Sequence, residues 1–229
     1  MEGVDLHLPD GQPLIANVNL SLLRGDTVLL GGASGSGKST LFRAIAGIWP
    51  FGRGEIRGPC GTQVLFLPQK PYLPIGTLRE VVSYPMPADG VDDVTLREAL
   101  EAVGLPELAR RLGEAGHWAL QLSPGEQQRI AFARALVQKP DWLFLDEATS
   151  AVDESTEARL YRLVRERLAG TTVFSVGHRA TLRPFHSRQL LVRANGNGPS
   201  SIVEVTAVAE SARGNLGVPK HDKIAAMAG

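Results

Sequence analysis

Cysteine is almost absent from this sequence of 229 residues, since Cys60 is the only one. An internal disulfide and a cluster of cysteine metal ligands are therefore excluded. Long apolar runs are also absent, because no stretch approaches the roughly 18–20 residues that a membrane-spanning helix needs. There is no net charge either, since 24 lysines and arginines balance 24 aspartates and glutamates. This balance argues against a protein that chiefly wraps nucleic acid, so no nucleic-acid partner is expected.

Glycine, in contrast, is abundant at 25 residues, and residues 32–39 match the pattern G-x-x-x-x-G-K-[ST]. Glycines allow such a loop to point backbone N–H groups at phosphate oxygens. Lys38 would add a positive charge for the β- and γ-phosphates, and the Ser39 hydroxyl would ligate Mg²⁺. A strand at 27–30 and a helix at 41–46 are the context that this motif requires. The sequence therefore predicts a nucleotide-phosphate site, a P-loop, formed by Gly32, Ala33, Ser34, Gly35, Ser36, Gly37, Lys38, Ser39 and Thr40.

A second candidate element is the apolar run at 142–145, which ends in two adjacent carboxylates, Asp146 and Glu147. Such a run predicts a strand buried on both faces of a parallel sheet, and these sheets hold ligands at the carboxyl ends of their strands. Asp146 is then the second candidate partner of Mg²⁺, and Glu147 is the candidate to polarise an attacking water. The alternative is a solvated acidic turn. Kinases, GTPases, helicases and transport ATPases all remain open at this point.

The segment that separates these classes is LSPGEQQR at 122–129, which precedes a strongly helical stretch at 130–137. Locally, Ser123 and Glu126 form an S-x-x-E capping box, with Pro124 at the first helical position. The segment also resembles the LSGGQ-like signature in the nucleotide-binding domain of ABC (ATP-binding cassette) transporters. The resemblance implies that two domains sandwich two ATP molecules head to tail. Each signature then closes over the γ-phosphate held by the partner domain.

Other positions of that family follow in order along the chain. Gln69 ends a predicted strand at 64–69 and resembles the Q-loop, which senses Mg²⁺ and the γ-phosphate. Residues 150–153 resemble the D-loop, which reaches across the dimer, and His178 resembles the switch histidine. The resemblance covers roughly residues 3–205 and implies ATP and Mg²⁺ as cofactors. The roles it implies are catalysis by Glu147 and His178, Mg²⁺ binding by Ser39, Gln69 and Asp146, ATP binding by the P-loop with Gln69, and contact with the partner's ATP by Ser123, Gly125, Glu126 and Asp153.

The sequence departs from the family pattern at three places, two in the signature and one at residues 4–9. Pro124 replaces the usual first glycine of the signature and removes one N–H donor. Glu126 replaces the usual glutamine and brings a negative charge near the triphosphate. Residues 4–9 offer no aromatic side chain to stack on adenine, so base recognition is either weak, with GTP tolerated, or supplied from elsewhere.

Residues 45–54 and 68–80 resemble the subfamily D cassettes and their bacterial relatives of the peptide and cobalamin uptake class. In such half-transporters the cassette follows the membrane-spanning domain. The resemblance therefore implies an excised C-terminal cassette with two partners, a second copy of itself and the membrane-spanning domain of the same parent chain. Residues 72–80 would face that domain. The cassette would lie at the cytoplasmic face of a membrane, the bacterial inner membrane for this branch.

The fold class that follows is α/β, namely the ABC ATPase fold with a P-loop NTPase core and a parallel sheet. We expect the catalytic core, with an N-terminal antiparallel β subdomain, over 1–69 and 123–205. An inserted helical subdomain is expected over 70–122, with helices at 94–103 and 105–112. We also expect an edge strand at 201–205 and a mobile tail at 206–229.

Three rival classes fit less well. A P-loop kinase or GTPase would share the first two elements but not the signature, the D-loop or the switch histidine. ABC-type proteins of DNA repair usually carry long coiled-coil insertions, and those of translation usually carry two cassettes in one chain. A regulatory module with inactive catalysis would not need Lys38, Asp146, Glu147 and His178 together. The sequence therefore favours an ATP-hydrolysing transport cassette.

Overall fold

The computed structural model describes residues 1–58, 61–196 and 198–205. The tail at 206–229, which the sequence predicts to be mobile, lies outside the described residues. Within them the chain forms eleven strands: β1 Glu2–His7, β2 Pro13–Val18, β3 Thr27–Gly32, β4 Gly52–Glu55, β5 Val64–Leu67, β6 Gly76–Thr77, β7 Ala115–Gly116, β8 Trp142–Asp146, β9 Thr172–Val176, β10 Arg188–Asn195 and β11 Gly198–Val205. The α-helices are α1 Lys38–Ile45, α2 Leu78–Ser83, α3 Asp93–Ala102, α4 Pro106–Ala109, α5 Trp118–Gln121, α6 Pro124–Gln138 and α7 Glu154–Arg167.

Nine of these strands form one sheet in the order β4-β1-β2-β11-β10-β3-β9-β8-β5. The five strands from β10 to β5 run parallel to one another. All five residues of β9 are buried, as expected where helices cover both faces of a parallel sheet. The observed mixture of helices with a large, mostly parallel sheet confirms the predicted α/β class.

Strands β4, β1 and β2 lie at one end of this sheet, while β6 and β7 form a separate two-stranded sheet. β1 pairs antiparallel with β2 and with β4, as predicted for an N-terminal antiparallel region. The turn between β1 and β2 places Gly11 at φ +87°, a conformation that glycine adopts without strain.

The prediction of an edge strand at 201–205 is wrong. β11 is longer and lies inside the sheet, antiparallel to β10 and joined to β2 through the parallel pair Ser200 and Ile15. Without β11, both β2 and β10 would present unpaired N–H and C=O groups. This strand therefore closes the gap between the antiparallel and the parallel parts of the sheet.

The residues between β5 and α6 form a helical layer that packs on α6. Its largest buried side chains, Leu96, Leu100 and Trp118, share one apolar core with Ile130 and Phe132 of α6. No helix in the described ranges is long and apolar enough to cross a membrane.

One helix of this layer differs from its prediction. The helix expected at 105–112 is α4, which ends at Ala109. The chain beyond it pairs with the start of α2, since Arg79 N–H donates to the Leu112 carbonyl and Leu78 N–H to the Glu114 carbonyl. These long-range bonds replace those that a continued helix would make.

Leu143→Ala should lower the free energy of unfolding by about 2–5 kcal/mol, because Leu143 of β8 is fully buried and the change leaves a cavity. Val64→Ala on the neighbouring strand is the control, since Val64 is exposed and should cost about 1 kcal/mol or less. Urea unfolding of both variants checks the prediction, and equal losses would contradict it.

Candidate functional site

Four parallel strands end at one edge of the sheet, and a predicted functional group follows each of them. The P-loop follows β3, Asp146 ends β8 with Glu147 next in the chain, His178 follows β9, and Gln69 follows β5. The register pairs Leu30 with Val176 and Val176 with Asp146, so these strands end level with one another. The sheet therefore brings together groups that lie more than a hundred residues apart in the sequence.

The P-loop adopts a backbone that its glycines make accessible. Gly32 and Gly37 have φ values of +142° and +100°, which side-chain-bearing residues rarely adopt. A Cβ on Gly32 would lie 2.9 Å from the Val192 carbonyl oxygen, and one on Gly37 would lie 2.9 Å from Ile15 Cδ1. Close packing as well as φ therefore explains glycine at both positions.

The side chains of the P-loop fit an anionic ligand. Lys38 is buried and its Nζ donates to the carbonyl oxygens of Gly32 (3.0 Å) and Ala33 (2.7 Å). Both acceptors are uncharged, so these bonds leave the full positive charge on the loop. Ser36 Oγ is buried without a hydrogen-bond partner among the described residues. A buried cation beside an unpartnered hydroxyl is suited to phosphate oxygens.

Ser39 and Asp146 meet as the two predicted oxygen ligands of a cation. Ser39 Oγ donates to Asp146 Oδ1 over 3.2 Å, from the first turn of α1 to the end of β8. Burial raises the pKa of Asp146 above its usual value, the Ser39 hydrogen bond opposes this, and the charge of Glu147 adds to it. A carboxylate whose charge is disfavoured in this way gains from a nearby cation. The oxygen donors therefore fit Mg²⁺.

In the described parts of the chain, no three histidine, cysteine, aspartate or glutamate side chains converge as a metal site. A magnesium ion would thus depend on Ser39, Asp146 and Gln69 together with oxygens from phosphate and water. Mg²⁺ characteristically binds in this way, through few protein ligands.

Glu147 lies between Gln69 and His178. Gln69 Nε2 donates to Glu147 Oε2 over 3.3 Å, and His178 Nδ1 lies 3.9 Å from Glu147 Oε1. The Glu147 backbone has φ +46°, an unfavourable conformation for a side-chain-bearing residue. Such strain persists where the surrounding contacts fix it, and it is concentrated at functional sites. Glu147 N–H donates to the Val176 carbonyl over 3.0 Å, which ties this strained residue to β9.

The signature segment begins α6 as a capping box, as predicted. Glu126 N–H donates to Ser123 Oγ, while Glu126 Oε2 accepts from Ser123 N–H (2.9 Å) and from the Ser123 hydroxyl (2.6 Å). The hydrogen bond from the Ser123 hydroxyl is the main reason that the pKa of Glu126 is lowered. Pro124 occupies the first turn, where its missing N–H breaks no helical bond.

The signature residues do not join the P-loop of their own chain. Ser123, Gly125 and Asp153 line a separate cavity that contains no P-loop residue. A Cβ on Gly125 would lie 2.9 Å from the Ala151 carbonyl oxygen, so glycine allows the signature to pack against the D-loop. Asp153 caps α7 by accepting from Thr156 N–H. The structure thus assembles two groups of predicted residues, one at the sheet edge and one beside the signature.

Sequence reasoning missed the polar side chains that lie between these two groups. Gln128 of α6 contacts both the Q-loop and the D-loop. Arg179 donates to the Ser150 and Val152 carbonyls and pairs at 3.4 Å with Glu157, a carboxylate that is almost fully buried. Their sequence signal is weak, because polar residues at the start of a helix usually face water.

A comparison with known proteins decides the family. The family model described as ABC transporter matches residues 15–150, more than half of the chain. The chain belongs to the ABC transporter family. It corresponds to the family's ATP-binding domain, and members of this family hydrolyse ATP to drive transport.

Relatives place the chain near subfamily D, which confirms the resemblance seen in the sequence. An uncharacterised ABC transporter ATP-binding protein of Haemophilus influenzae is 44% identical over 195 residues, which cover 85% of this chain and 33% of that protein. The human lysosomal cobalamin transporter ABCD4 is 39% identical over 221 residues, covering 90% of this chain and 36% of that protein. The chain thus spans about a third of the length of these relatives.

A solved structure supports the same fold. A bacterial Atm1-family ABC exporter with ATP bound superimposes with a TM-score of 0.72 at 25% identity, over 83% of this chain and 36% of that one. This likeness confirms the predicted ABC ATPase fold.

Lys38→Ala should lower the affinity for Mg·ATP about tenfold or more, because it removes a charge-assisted contact from the P-loop. Arg24→Ala is the matched control, since it also removes a positive charge. Arg24 is exposed and lies shortly before the first residue of β3, at the end of the strand away from the P-loop. Titration calorimetry with ATP measures both variants. Wild-type affinity in Lys38→Ala would contradict the P-loop assignment.

Proposed function

We propose that this chain is the ATP-hydrolysing cassette of a half-transporter and that it dimerises around two Mg·ATP to power movement of a substrate by an attached membrane domain. The observation that carries the proposal is the sheet edge where Lys38, Ser39 and Asp146 meet Glu147 and Gln69. A phosphate-binding loop, two oxygen ligands and a neighbouring carboxylate together suit phosphoryl transfer to water.

Glu147 is the group we assign to the attacking water. The water oxygen bonds to the γ-phosphorus, the bond from that phosphorus to ADP breaks, and the water proton passes towards Glu147. His178, 3.9 Å from the same carboxylate, would contact the γ-phosphate from the β9 side. Mg²⁺, held by Ser39 and Asp146 with Gln69 nearby, would neutralise charge on the phosphate oxygens.

A second copy of the chain is the first partner in this proposal. Support for this partner comes from Ser123, Gly125 and Asp153, which line a cavity that contains no residue of their own P-loop. Across a head-to-tail dimer, the same residues and Glu126 would meet the partner's ATP. Shifting the ratio of closed to open dimer from 1:99 to 99:1 needs about 5.5 kcal/mol of differential binding, which two shared nucleotides can provide.

The membrane-spanning domain is the other proposed partner. The segment at 72–80 exposes Tyr72 and Ile75, two large apolar side chains at the surface of the helical layer. We propose 70–122 as the helical subdomain that receives the membrane domain, and 1–69 with 123–205 as the catalytic core. The chain's coverage of about a third of its relatives fits a cassette whose membrane domain lies elsewhere in the parent protein. In this proposal the cassette lies at the cytoplasmic face of a membrane, which for the bacterial branch is the inner membrane.

Glu147→Gln should lower ATP turnover at least about 10²-fold while leaving the affinity for Mg·ATP unchanged, because only the proton acceptor is lost. Phosphate release and equilibrium binding measure the two effects separately. Glu166→Gln, an equal change at an exposed position of α7, is the control and should keep wild-type turnover. Unchanged turnover in Glu147→Gln would exclude Glu147 as the group that activates water.

Glu126→Gln should strengthen ATP-dependent dimerisation. In the wild type, the Ser123 hydroxyl donates to the Glu126 carboxylate, which also places a negative charge where the partner's phosphate would approach. Glutamine keeps an oxygen for the Ser123 N–H and removes the charge. The protein concentration at half-maximal ATPase activity per chain should therefore fall about threefold or more, a modest electrostatic effect.

The control for this prediction is Glu80→Gln in the other capping box of the chain. Glu80 accepts from the N–H and hydroxyl of Thr77 in the same way, but this capping box lies at the start of α2 rather than at the signature. This variant should leave the half-maximal concentration unchanged. An increase in that concentration for Glu126→Gln would show that the carboxylate favours the dimer.

A further inference from the structure

We propose that Gln128 is a positioning residue for ATP hydrolysis. Its single side chain holds the Q-loop and the D-loop at a fixed separation and so keeps Gln69 against Glu147. This inference rests on the proposed function, because it concerns the rate of that reaction.

The contacts of Gln128 join three segments of the chain. The side chain is 2% exposed and projects from α6. Its Nε2 donates to the Gln69 carbonyl over 2.9 Å and to Ser150 Oγ over 3.1 Å. Its Oε1 accepts from Ala151 N–H over 2.9 Å. One carboxamide thus fastens the signature helix to the backbone of both loops.

The chemistry of these contacts specifies an amide. Both donor hydrogens and the acceptor oxygen have a partner, so no polar atom of this buried group is left unpaired. A carboxylate at this position would have no hydrogen for the Gln69 carbonyl, and a thioether would offer neither a strong donor nor a strong acceptor. A fully partnered polar group inside a core fixes the geometry of the segments that it joins.

The two loops held by Gln128 are those that surround Glu147. Gln69 Nε2 donates to Glu147 Oε2 and lies 3.4 Å from Ser150 Oγ, while Ser150 N–H donates to the Glu147 carbonyl over 3.0 Å. Ser150 Oγ is therefore shared by Gln69 and Gln128. Because the backbone of Glu147 is strained at φ +46°, its side-chain position depends on such neighbours.

The adjacent residue Gln127 provides a matched comparison within the same helix. It is also buried, at 8% exposure, and its Nε2 donates to the carbonyls of Ala119 (3.0 Å) and Leu122 (2.9 Å). One partner lies in α5 and the other is the first residue of the signature segment, so neither belongs to the Q-loop or the D-loop. A change at Gln127 therefore removes similar hydrogen bonds and buried polarity without touching the Q-loop or the D-loop.

The test compares Gln128→Met, Gln128→Glu and Gln127→Met in the 229-residue chain, with kcat and KM for Mg·ATP, nucleotide Kd and thermal unfolding measured for each. Both Gln128 variants should lower kcat about tenfold or more, with Kd within about twofold of wild type, because the P-loop is untouched. Gln127→Met should reduce Tm comparably to Gln128→Met but lower kcat clearly less, because it leaves the contacts to the Q-loop and the D-loop in place.

Hydrogen exchange gives a readout that does not depend on turnover. The Ala151 amide should exchange at least about tenfold faster in Gln128→Met, which lacks its acceptor. It should stay protected in Gln128→Glu, which keeps an acceptor oxygen and loses only the donors to Gln69 and Ser150. Low kcat in the glutamate variant with a protected Ala151 amide would assign the effect to the lost donors to the Gln69 carbonyl and Ser150 Oγ.

Either of two results would overturn the positioning role while the wild type hydrolyses ATP. One is wild-type kcat in both Gln128 variants, and the other is an equal loss of kcat in Gln127→Met and Gln128→Met. Should Gln128→Met not fold, the glutamate variant carries the same comparison against Gln127→Glu. A wild-type chain without ATP hydrolysis at any protein concentration would instead overturn the proposed function, and the positioning role with it.

Discussion

The parallel pairing of β3, β9, β8 and β5 is the constraint on which the rest of the site depends. Parallel strands place all their carboxyl ends at one edge, so the groups that follow them in the sequence meet in space. Burial on both faces requires continuous apolar runs, and these runs hold the register. A slip of β8 by one residue would exchange the positions of Asp146 and Glu147 relative to Ser39 and Gln69.

Electrostatics explain why this edge suits a triphosphate rather than a neutral ligand. Lys38 is buried with only carbonyl oxygens as partners, and burial raises the pKa of Asp146. A magnesium–phosphate complex would offer an anion to Lys38 and a cation to Asp146. The signature region is different, because the Ser123 hydroxyl already donates to Glu126. In this account, the partner's ATP must compete with an internal hydrogen bond there.

Local patterns in the sequence predicted the parts of the site that local geometry determines. The glycines and lysine of the P-loop, the capping box at Ser123 and the apolar run before Asp146 each require only neighbouring residues to be interpretable. The antiparallel hairpin near Gly11 belongs with them, because its turn chemistry is short-range.

The features that the sequence did not reveal depend on long-range contacts. β11 is an inner strand because β2 and β10 both need a partner, and the helix expected at 105–112 stops early because the chain pairs with α2. The contacts of Gln128 were hidden for the same reason, since its partners lie 59, 22 and 23 residues away. The left-handed backbone of Glu147 likewise follows from its neighbours rather than from its own preference.

The central claim is that the signature of one copy completes the ATP site of another. Light scattering of the hydrolysis-deficient Glu147→Gln chain, with and without Mg·ATP, tests it most directly. The account predicts a species of 24.5 kDa without nucleotide and one of twice that mass with it. A mass that stays at the monomer value while the P-loop is saturated with Mg·ATP would contradict the claim.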